Sequence, residues 1–362
     1  VLLHNIMADK KHVVRVWADG CFDMMHFGHA NALRQARELG EVLVVGVHND
    51  ADIIKNKGPP VMTEEERYEA VEACKWVDEV VRGAPYVTSL KMLEDYNIDF
   101  CAHGDDLVTT SDGTDTYHEM KAAGKFRTFK RTEGISTTDL VGRMLLMTKQ
   151  HHTENTLSSL DSKQLGSFSE GKTKHSPYTG VSRFIPTSRK IVQFSDGKEP
   201  KPDDKIVYID GAFDLFHIGH IRMLKKAREY GTYVLVGVHD DKVVNQIKGG
   251  NFPIMNLHER VLSVLSCKYV DEVIIGAPYC PSKDMLKSLN IHVVIHGSVQ
   301  DGQAPKDLDP YKEAKELGIF QLVDSPSEIT TTTIIDRIIK NRLAYEERNR
   351  KKEAKEIAES SN

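Results

Sequence analysis

The chain has 362 residues, enough for two domains of ordinary size or one large domain. Hydrophobic residues make up 40% and charged residues 28% of it, values usual for a soluble globular protein, and no apolar run approaches the roughly 18 residues that a membrane-spanning helix needs. The formal net charge of −5 gives no general attraction to polyanions, so neither nucleic acid nor an anionic membrane surface is an expected partner.

Predicted strands and helices alternate along the first part of the chain. Continuous apolar runs predict strands at 13–17, 42–47, 79–84 and 98–104. Amphipathic stretches predict helices at 30–40, 63–77, 89–97 and 116–124, and a further helix begins at 136–138. Thr63 and Glu66 have the spacing of a capping box. Alternation with unbroken apolar strands indicates a parallel sheet covered on both faces, hence a Rossmann-like doubly wound α/β fold that binds ligands beyond the carboxyl ends of its strands.

Most of this pattern occurs a second time. Residues 14–40 match residues 205–231, and "VDEVVRGAPY" at 77 shares eight of ten residues with "VDEVIIGAPY" at 270. Because the offset between the copies drifts only from 191 to 194 residues, the repeated unit is a whole domain and not a solenoid module. We therefore predict two tandem domains, called here the first copy and the second copy, packed as an intramolecular pseudo-dimer. Further assembly into a homo-oligomer is left open.

Composition sets the predicted boundaries of these domains. The first copy is expected at 12–150 and the second copy at 201–345. Residues 151–200 are rich in Ser, Thr, Gly and Lys and are expected to form a solvated linker, although the apolar residues of 181–194 are expected to dock on one of the domains. Residues 346–362 are predicted to be a charged helical tail without the apolar face that would insert into a membrane surface.

The five cysteines indicate the redox environment of the protein. An odd count without a CxxC pair predicts reduced thiols in a cytoplasmic protein, with neither a disulfide framework nor a zinc site. The opening residues are too short for the apolar region of a signal peptide and lack a preceding basic segment.

Two histidines, His26 and His29, flank Gly28 where the first predicted strand becomes a helix, and the pattern recurs at 217–220. A metal site would need a third ligand, which is not evident nearby, and two purely structural histidines would be a coincidence at the same place in both copies. The absence of GxGxxG excludes a dinucleotide fingerprint. Anion binding fits better, because N–H groups and the helix dipole favour phosphate at a helix N-terminus and imidazoles can donate to its oxygens.

Two quoted segments resemble a known family. "GCFDMMHFGH" and "RTEGISTTD" are similar to the HxGH loop and the IST-type motif of the cytidylyltransferases in the nucleotidylyltransferase superfamily. The resemblance covers nearly all of 13–148 and again 205–340, which implies two tandem Rossmann-like doubly wound parallel-sheet nucleotidylyltransferase domains. Two such units without a long lipid-sensing helix resemble the ethanolamine-phosphate branch of the family, as opposed to the choline-phosphate branch.

The resemblance implies an activity and its reactants. The enzyme would transfer CMP from CTP to phosphoethanolamine, giving CDP-ethanolamine and pyrophosphate for phosphatidylethanolamine synthesis. Its partners would be CTP and phosphoethanolamine, and its cofactor Mg²⁺ bound with CTP, without a dedicated set of protein ligands.

Three other functions remain as alternatives. Phosphocholine or glycerol phosphate could replace phosphoethanolamine as the acceptor. A nucleotide sensor without turnover would not need the complete catalytic set. A protein like the aminoacyl-tRNA synthetases would share the histidine motif, but no tRNA-binding domain or basic face supports it.

The resemblance also implies roles for individual residues of the first copy. His26 and His29 would contact the CTP phosphates and the transition state, Lys57 would bridge the phosphates of the two substrates, and Arg131 would clamp the triphosphate. The implied CTP-binding residues are Cys21, Phe22, His103, Thr132, Ile135, Ser136 and Thr137. Asp50 and Tyr86 are assigned to the ethanolamine end, where an ammonium group could use a carboxylate or an aromatic ring.

The second copy keeps much of this set but changes its last motif. Ser325 replaces Arg131 and Glu328 replaces Gly134, which removes a guanidinium and places a carboxylate where a triphosphate would lie. We therefore expect the first copy to be the main catalyst, and the second copy to be a weak nucleotide site with a regulatory role, or a structural partner. Its predicted CTP-binding residues are Ala212, Phe213, His217, His220, Lys248, His296, Ser325, Pro326, Ser327 and Glu328.

Overall fold

The computed structural model describes residues 12–106, 108–132, 134–146, 190–299 and 308–350. Residues 151–189 of the predicted linker and residues 351–362 of the predicted tail lie outside these ranges. The described residues form two separate five-stranded sheets, one in each copy. The predicted tandem α/β architecture is therefore confirmed.

The first copy is built around one parallel sheet. Its strands are β1 (Arg15–Gly20), β2 (Val42–Val47), β3 (Glu79–Arg82), β4 (Phe100–Gly104) and β5 (Phe126–Phe129). Its helices are α1 (Phe27–Glu38), α2 (Asp50–Lys57), α3 (Glu64–Glu72), α4 (Leu90–Asp95), α5 (His118–Ala122) and α6 (Thr137–Leu146). The strand order is β3-β2-β1-β4-β5, and every pair is parallel.

The strand order sets where a ligand can bind. β1 lies at the centre, and the chain turns to opposite sides of it, first to β2 and later to β4. Trp17 of β1 and Val44 and Val45 of β2 have no exposed surface, since helices cover both faces of the sheet. The switch in strand order opens a crevice beyond the carboxyl ends of β1 and β4, which is the usual ligand position in such sheets.

The second copy repeats the same plan. Its strands are β6 (Ile206–Gly211), β7 (Tyr233–His239), β8 (Glu272–Ala277), β9 (Val293–Gly297) and β10 (Phe320–Val323). Its helices are α7 (Ile218–Ala227), α8 (Asp241–Lys248), α9 (Leu257–Leu265), α10 (Lys283–Ser288), α11 (Lys312–Glu316) and α12 (Thr331–Lys340). The order β10-β9-β6-β7-β8 is the first sheet's order, with β6 in the place of β1.

The two copies pack on each other through equivalent segments. The backbones of Cys74 and Cys267 form an isolated antiparallel β-bridge, and both thiols are free. On one side of it, the backbone N–H of Lys75 donates to the carbonyl of Ser266 at 2.9 Å, and on the other the N–H of Lys268 donates to the carbonyl of Ala73 at 2.9 Å. These reciprocal bonds make the contact self-complementary, as in an isologous dimer.

Ion pairs follow the same approximate symmetry. Arg143 of α6 contacts Glu259 of α9 at 2.9 Å, and Arg337 of α12 contacts Glu66 of α3 at 2.7 Å. Each arginine binds both carboxylate oxygens of its partner, which is the fork geometry that arginine favours. The sequence predicts that the copies pack together, and these contacts show how.

Two elements of the first copy were absent from the sequence prediction. α2 begins at Asn49, whose side chain accepts from the N–H of Asp52, but only Ile53 of this helix is buried, so its apolar pattern is weak. β5 is an edge strand with two exposed residues of four. Both elements depend on the sheet that they flank more than on a pattern of their own.

The end of the predicted linker packs against the first copy. Residues 190–194 are helical, and Phe194 is fully buried with its ring centroid 4.8 Å from that of Trp76. This is the docking expected for the apolar residues of 181–194, seen in the part that the structure describes. None of the helices in the described ranges has the length and apolar character needed to cross a membrane.

Candidate active site

The loop between β1 and α1 places both histidines in the first turn of α1. His26 is the N-cap residue, and its Nδ1 accepts a hydrogen bond from the N–H of Gly28 at 3.1 Å. The Nδ1 of His29 accepts from the N–H of His26 at 3.4 Å, and the two rings stack with centroids 4.0 Å apart. Since a backbone N–H can only donate, each Nδ1 is unprotonated here and each neutral ring carries its proton on Nε2.

Gly28 is required because the His26 ring and Ile135 closely approach its backbone. A Cβ atom at this position would lie 2.8 Å from Cε1 of His26 and 2.9 Å from Cγ2 of Ile135. Both distances are too short for any real side chain to accept without movement. The glycine therefore lets the His26 ring and the Ile135 segment meet at the start of α1.

Left-handed residues surround an aspartate that the sequence analysis did not single out. Phe22 and Met24 have φ angles of 50° and 49°, a conformation that costs roughly 1–3 kcal/mol for a non-glycine residue. Between them, buried Asp23 accepts hydrogen bonds from the N–H groups of Val61 and Met62 at 2.9–3.1 Å. The repeat "CFDMMH" and "AFDLFH" is the signal that could have identified it.

The segment before α6 forms the second wall of the site. The hydroxyl of Thr137 donates to the carbonyl of Asp23 at 2.9 Å, which ties the N-terminus of α6 to the histidine loop. Ser136 accepts from the N–H of Asp139 at 3.0 Å and so caps α6. Thr132 accepts from the side-chain amide of Asn31 in α1 at 2.8 Å. The N-termini of α1 and α6 therefore lie side by side, as the anion-binding prediction requires.

Lys57, Cys21 and Tyr86 form a second group. Lys57 is the last residue of α2, and its Nζ lies 5.8 Å from the centroid of the Tyr86 ring. The pKa of Lys57 is raised above its ordinary value, mainly by electrostatic interaction with Cys21, while desolvation opposes the rise. The residue as a whole is exposed, but its ammonium group is withdrawn from solvent and lies beside Cys21 and Tyr86.

Arg131, His103 and the acidic pair after β4 form a third group. Nη1 of Arg131 lies 3.5 Å from Oδ2 of Asp106. The backbone N–H of Arg131 donates to Oδ1 of Asp105 at 2.9 Å. Nδ1 of His103 lies 3.9 Å from Oδ1 of Asp106. In this structure the guanidinium of Arg131 is thus paired with a carboxylate, and its role on a triphosphate stays a prediction.

The two residues assigned to the ethanolamine end have different surroundings. The carboxylate of Asp50 pairs at 2.8 Å with Arg67, whose side chain is fully buried and which also donates to the carbonyl of Cys21 at 2.7 Å. Tyr86 is buried beside His48, with ring centroids 4.9 Å apart. Asp50 therefore ties α2 to the histidine loop through Arg67, whereas Tyr86 lies against Lys57. Binding of an ammonium group by either residue stays a prediction.

A buried carboxylate at the end of β1 was also missed by sequence reasoning. Asp19 accepts hydrogen bonds from the hydroxyls of Thr88 and Tyr117, and Tyr117 in turn lies 5.1 Å from His103 between ring centroids. The charge of Asp19 also acts on His48, whose pKa is lowered by burial and partly restored by this aspartate. The position repeats as Asp210, which accepts from Tyr311 at 2.6 Å.

Comparison with known proteins shows the family of this chain. The sequence model of the cytidylyltransferase-like family matches residues 17–143 and again 208–337, which together make up more than half of the chain. The chain belongs to the cytidylyltransferase-like family. Both matched ranges contain the histidine loop and the segment that begins the last helix of their copy.

Curated relatives align along almost the whole chain. The ethanolamine-phosphate cytidylyltransferase of Dictyostelium discoideum is 61% identical over 96% of this chain and 96% of its own length. The mouse ethanolamine-phosphate cytidylyltransferase is 53% identical over 96% of this chain and 91% of its own length. Choline-phosphate cytidylyltransferase 2 of Arabidopsis thaliana is 44% identical over only 44% of this chain. The two-copy organisation is thus shared along its full length with the ethanolamine-phosphate relatives.

The second cytidylyltransferase-like copy keeps the histidine geometry. Nδ1 of His217 accepts from the N–H of Gly219 at 3.2 Å, and Nδ1 of His220 accepts from the N–H of His217 at 3.3 Å. Burial lowers the pKa of His220 well below its ordinary value, and the charges of His217 and Lys248 act in the same direction. Phe213 repeats the left-handed conformation with a φ angle of 51°.

The rest of the second copy's predicted set differs from the first copy at Ser325 but not at Ala212. Ser325 accepts from the N–H of Val299 at 3.0 Å, so its hydroxyl closes the loop after β9. Ala212 is bound through its carbonyl by Arg260, the counterpart of Arg67. Of the remaining residues, Lys248, His296 and Ser327 are half-buried. Pro326 and Glu328 are exposed. Nucleotide binding by this copy stays a prediction.

Acidic, histidine and cysteine side chains are the usual protein ligands of metal ions. Within the described residues, no group of three or more of these side chains is arranged to hold a metal ion.

Proposed function

We propose that this protein transfers the CMP group of CTP to phosphoethanolamine, giving CDP-ethanolamine and pyrophosphate. The observation that carries the proposal is the relationship to ethanolamine-phosphate cytidylyltransferases across both copies, at 61% identity over 96% of the chain. The choline-phosphate relative matches less than half of the chain, which favours phosphoethanolamine over phosphocholine as the acceptor. A cytidylyltransferase for another small phosphate is the second candidate.

The reaction is an in-line displacement at phosphorus. A phosphate oxygen of phosphoethanolamine forms a bond to the α-phosphorus of CTP, and the bond from that phosphorus to the bridging oxygen breaks. Pyrophosphate leaves with the electron pair, so no external oxidant or reductant is needed. Because both reactants are anions, the site must supply positive charge and hold them in line.

His26 and His29 would stabilise the charge on the phosphates. Their Nδ1 atoms are occupied by backbone N–H groups, which leaves Nε2–H as the donor of each neutral ring. The N-terminal dipole of α1 adds positive potential at the same place. This arrangement suits a transition state in which negative charge moves onto the leaving pyrophosphate.

Lys57 and Arg131 would supply the fixed positive charges. Lys57 is protonated at physiological pH, since desolvation does not lower its pKa below the ordinary value, so it can neutralise the phosphates of both substrates. Arg131 would exchange Asp106, which lies 3.5 Å away, for the triphosphate when CTP binds. Such an exchange couples nucleotide binding to the loop after β4, the strand that contains His103.

The ends of the two substrates would be held by less charged groups. Ser136 and Thr137 at the start of α6 are suited to the β- and γ-phosphates, with Thr132 and Ile135 beside them. Cys21, Phe22 and His103 would line the cytidine moiety. Tyr86 would offer its ring to the ammonium of ethanolamine, and Asp50, the first residue of α2, would contribute a carboxylate. Mg²⁺ would accompany CTP through its phosphate oxygens.

The first experiment compares acceptors. Purified protein is incubated with CTP, magnesium and either phosphoethanolamine or phosphocholine, and pyrophosphate release is measured. We expect release with phosphoethanolamine at a kcat/KM at least tenfold that with phosphocholine. Equal or reversed preference would contradict the acceptor assignment, and no release with either acceptor would contradict the activity.

A matched pair of double variants then tests which copy catalyses. His26→Asn with His29→Asn removes the Nε2 donors of the first copy but keeps side chains that can cap a helix. We expect a loss of roughly 10²–10³ in kcat, as for removal of a transition-state donor. The matched control is His217→Asn with His220→Asn in the second copy, which we expect to keep most of the activity. Substantial activity left in the first-copy variant would show that the second copy is a catalyst.

A further inference from the structure

A helix at the end of the second copy lies on the loop of the first copy that follows Lys57. Residues 342–350 are helical, and Tyr345 of this helix is only 3% exposed. Its hydroxyl donates to the carbonyl of Pro60 at 3.1 Å, and Nη1 of Arg348 donates to the carbonyl of Pro59 at 2.8 Å. Two consecutive carbonyls of the first copy are thus bound by side chains some 285 residues further along the chain.

The same arginine also contacts the histidine loop. Nη1 of Arg348 lies 3.3 Å from Oδ2 of Asp23, whose side chain is 7% exposed. Asp23 holds the N–H groups of Val61 and Met62, so its carboxylate already joins the two loops. Arg348 completes this junction by supplying the counter-charge of a buried carboxylate, which would otherwise be costly to desolvate.

The contact reaches the residue next to Lys57. Gly58 ends α2 with a φ angle of 93°, and a Cβ atom built on it would lie 3.4 Å from Cγ of Arg348. The aliphatic stem of Arg348 therefore packs over the backbone of Gly58. This packing lies directly beside Lys57, the last residue of α2.

The helix is fixed in place by the interface between the copies. Arg337, on the preceding helix α12, binds both carboxylate oxygens of Glu66 at 2.7 and 2.8 Å. Glu66 belongs to the capping box of α3, directly after the loop that Arg348 and Tyr345 hold. The second copy is thus anchored to the first copy on both sides of Pro59 and Pro60.

The second copy has no equivalent contact among the described residues. Its corresponding carboxylate, Asp214, accepts from the N–H groups of Ile254 and Met255 at 2.7 and 2.9 Å, and no described residue forms an ion pair with it. In the register that aligns Arg143 with Arg337, the position matching Arg348 is Glu154, which carries the opposite charge. Among the described residues the contact is therefore one-sided, unlike the matched pair of contacts Arg143–Glu259 and Arg337–Glu66.

We propose that Arg348 and Tyr345 are positioning residues for the first copy's active site, supplied by the second copy's C-terminal helix. They hold the segment from Lys57 to Pro60 against the histidine loop, so that the ammonium group of Lys57 lies where the two substrate phosphates meet. This inference rests on the proposed function. It gives the second copy a role in catalysis that does not require its own nucleotide site to be active.

The test compares Arg348→Ala with Arg348→Lys and Tyr345→Phe in the full chain. We expect Arg348→Ala to lower kcat about ten- to hundredfold, the loss typical of a charge-assisted hydrogen bond, with the KM for CTP changed less. Arg348→Lys keeps the charge beside Asp23 and should recover part of kcat, and Tyr345→Phe should have a smaller effect. Hydrogen exchange should become faster at 58–62 in Arg348→Ala.

The matched control is Arg342→Ala, on the same helix, which removes an exposed arginine paired only with Glu346. It should change neither kcat nor exchange at 58–62. Unchanged kcat in Arg348→Ala would overturn the inference even if exchange became faster, because the contact would then be structural only. Unchanged exchange would overturn it as well. An inactive wild-type protein would remove the proposed function and the catalytic part of the inference, and the exchange result would still decide whether the contact holds the loop.

Discussion

Histidines beside the first copy's site have two distinct environments. His26 and His29 are neutral because backbone N–H groups occupy their Nδ1 atoms. His48 is buried, with Nδ1 at 3.0 Å from the carbonyl of Ala84, and burial lowers its pKa below the ordinary value of 6.5. The spacing of the first two identified them from the sequence. His48, directly after β2, and its counterpart His239, at the end of β7, are not part of the histidine motif. Only the three-dimensional position of His48 connects it with Tyr86 and Lys57.

The pKa of His48 makes folding stability depend on pH. Below about pH 6.5 the unfolded chain binds a proton at His48 that the folded protein does not bind, so stability falls as pH decreases through this range. We expect the Tm to fall between about pH 7.5 and about pH 5.5, and to fall less in His48→Asn, whose amide can keep a donor to Ala84. Thermal unfolding at the two pH values measures this. Identical pH dependence in the variant would contradict burial of a neutral His48.

The N-terminus of α1 is the element on which the site depends. Its histidine loop, the Ile135 segment and the start of α6 meet there, and Gly28 leaves the space for that meeting. The sequence analysis assigned these residues to one predicted site. It did not predict that Gly28 faces the His26 ring and Ile135, because a contact between residues more than a hundred positions apart leaves no local pattern.

Replacing Gly28 by alanine tests this packing. A Cβ atom would lie under 3 Å from both the His26 ring and Ile135, and overpacking of this kind costs about 1–3 kcal/mol. We expect Gly28→Ala to lower kcat/KM about tenfold or more by displacing His26. Gly142→Ala in α6 is the control, because nothing lies within 4 Å of its Cβ position, and it should leave kcat/KM unchanged. Wild-type kcat/KM in Gly28→Ala would show that the loop adapts.

At the scale of the whole molecule, the two copies share one interface with buried charges. Glu259 is 1% exposed and pairs with Arg143, which is 17% exposed. Removing one partner of a buried ion pair leaves an uncompensated charge, whereas replacing both with apolar side chains is often tolerated. The interface therefore depends on each charge having its partner.

Arg143→Met should destabilise the protein by about 3–5 kcal/mol. Arg143→Met with Glu259→Met should recover most of this loss, because no charge is then buried. Thermal unfolding of the two variants beside Arg342→Met, an exposed control expected within about 1 kcal/mol of wild type, provides the comparison. A double variant as unstable as the single one would show that Arg143 acts through packing instead of charge.

The sequence predicted the tandem α/β fold, the packing of the two copies on each other and a histidine loop in each copy. It could do so because these features are periodic or repeated: apolar strands alternate with helices, and the HxGH segment occurs twice at the same place. α2 and β5 escaped prediction because α2 buries only one side chain and β5 is a short edge strand.

Only the tertiary structure decided which distant residues complete the site. Asp23 and Asp19 appear in the sequence as ordinary carboxylates, and their hydrogen bonds to the 61–62 backbone and to Tyr117 arise from chain crossings. Arg348 lies in a charged tail whose composition indicates a solvated helix, yet it binds Pro59 and Asp23 of the other copy. Such a contact follows from the packing of two domains, and no periodicity within either domain encodes it.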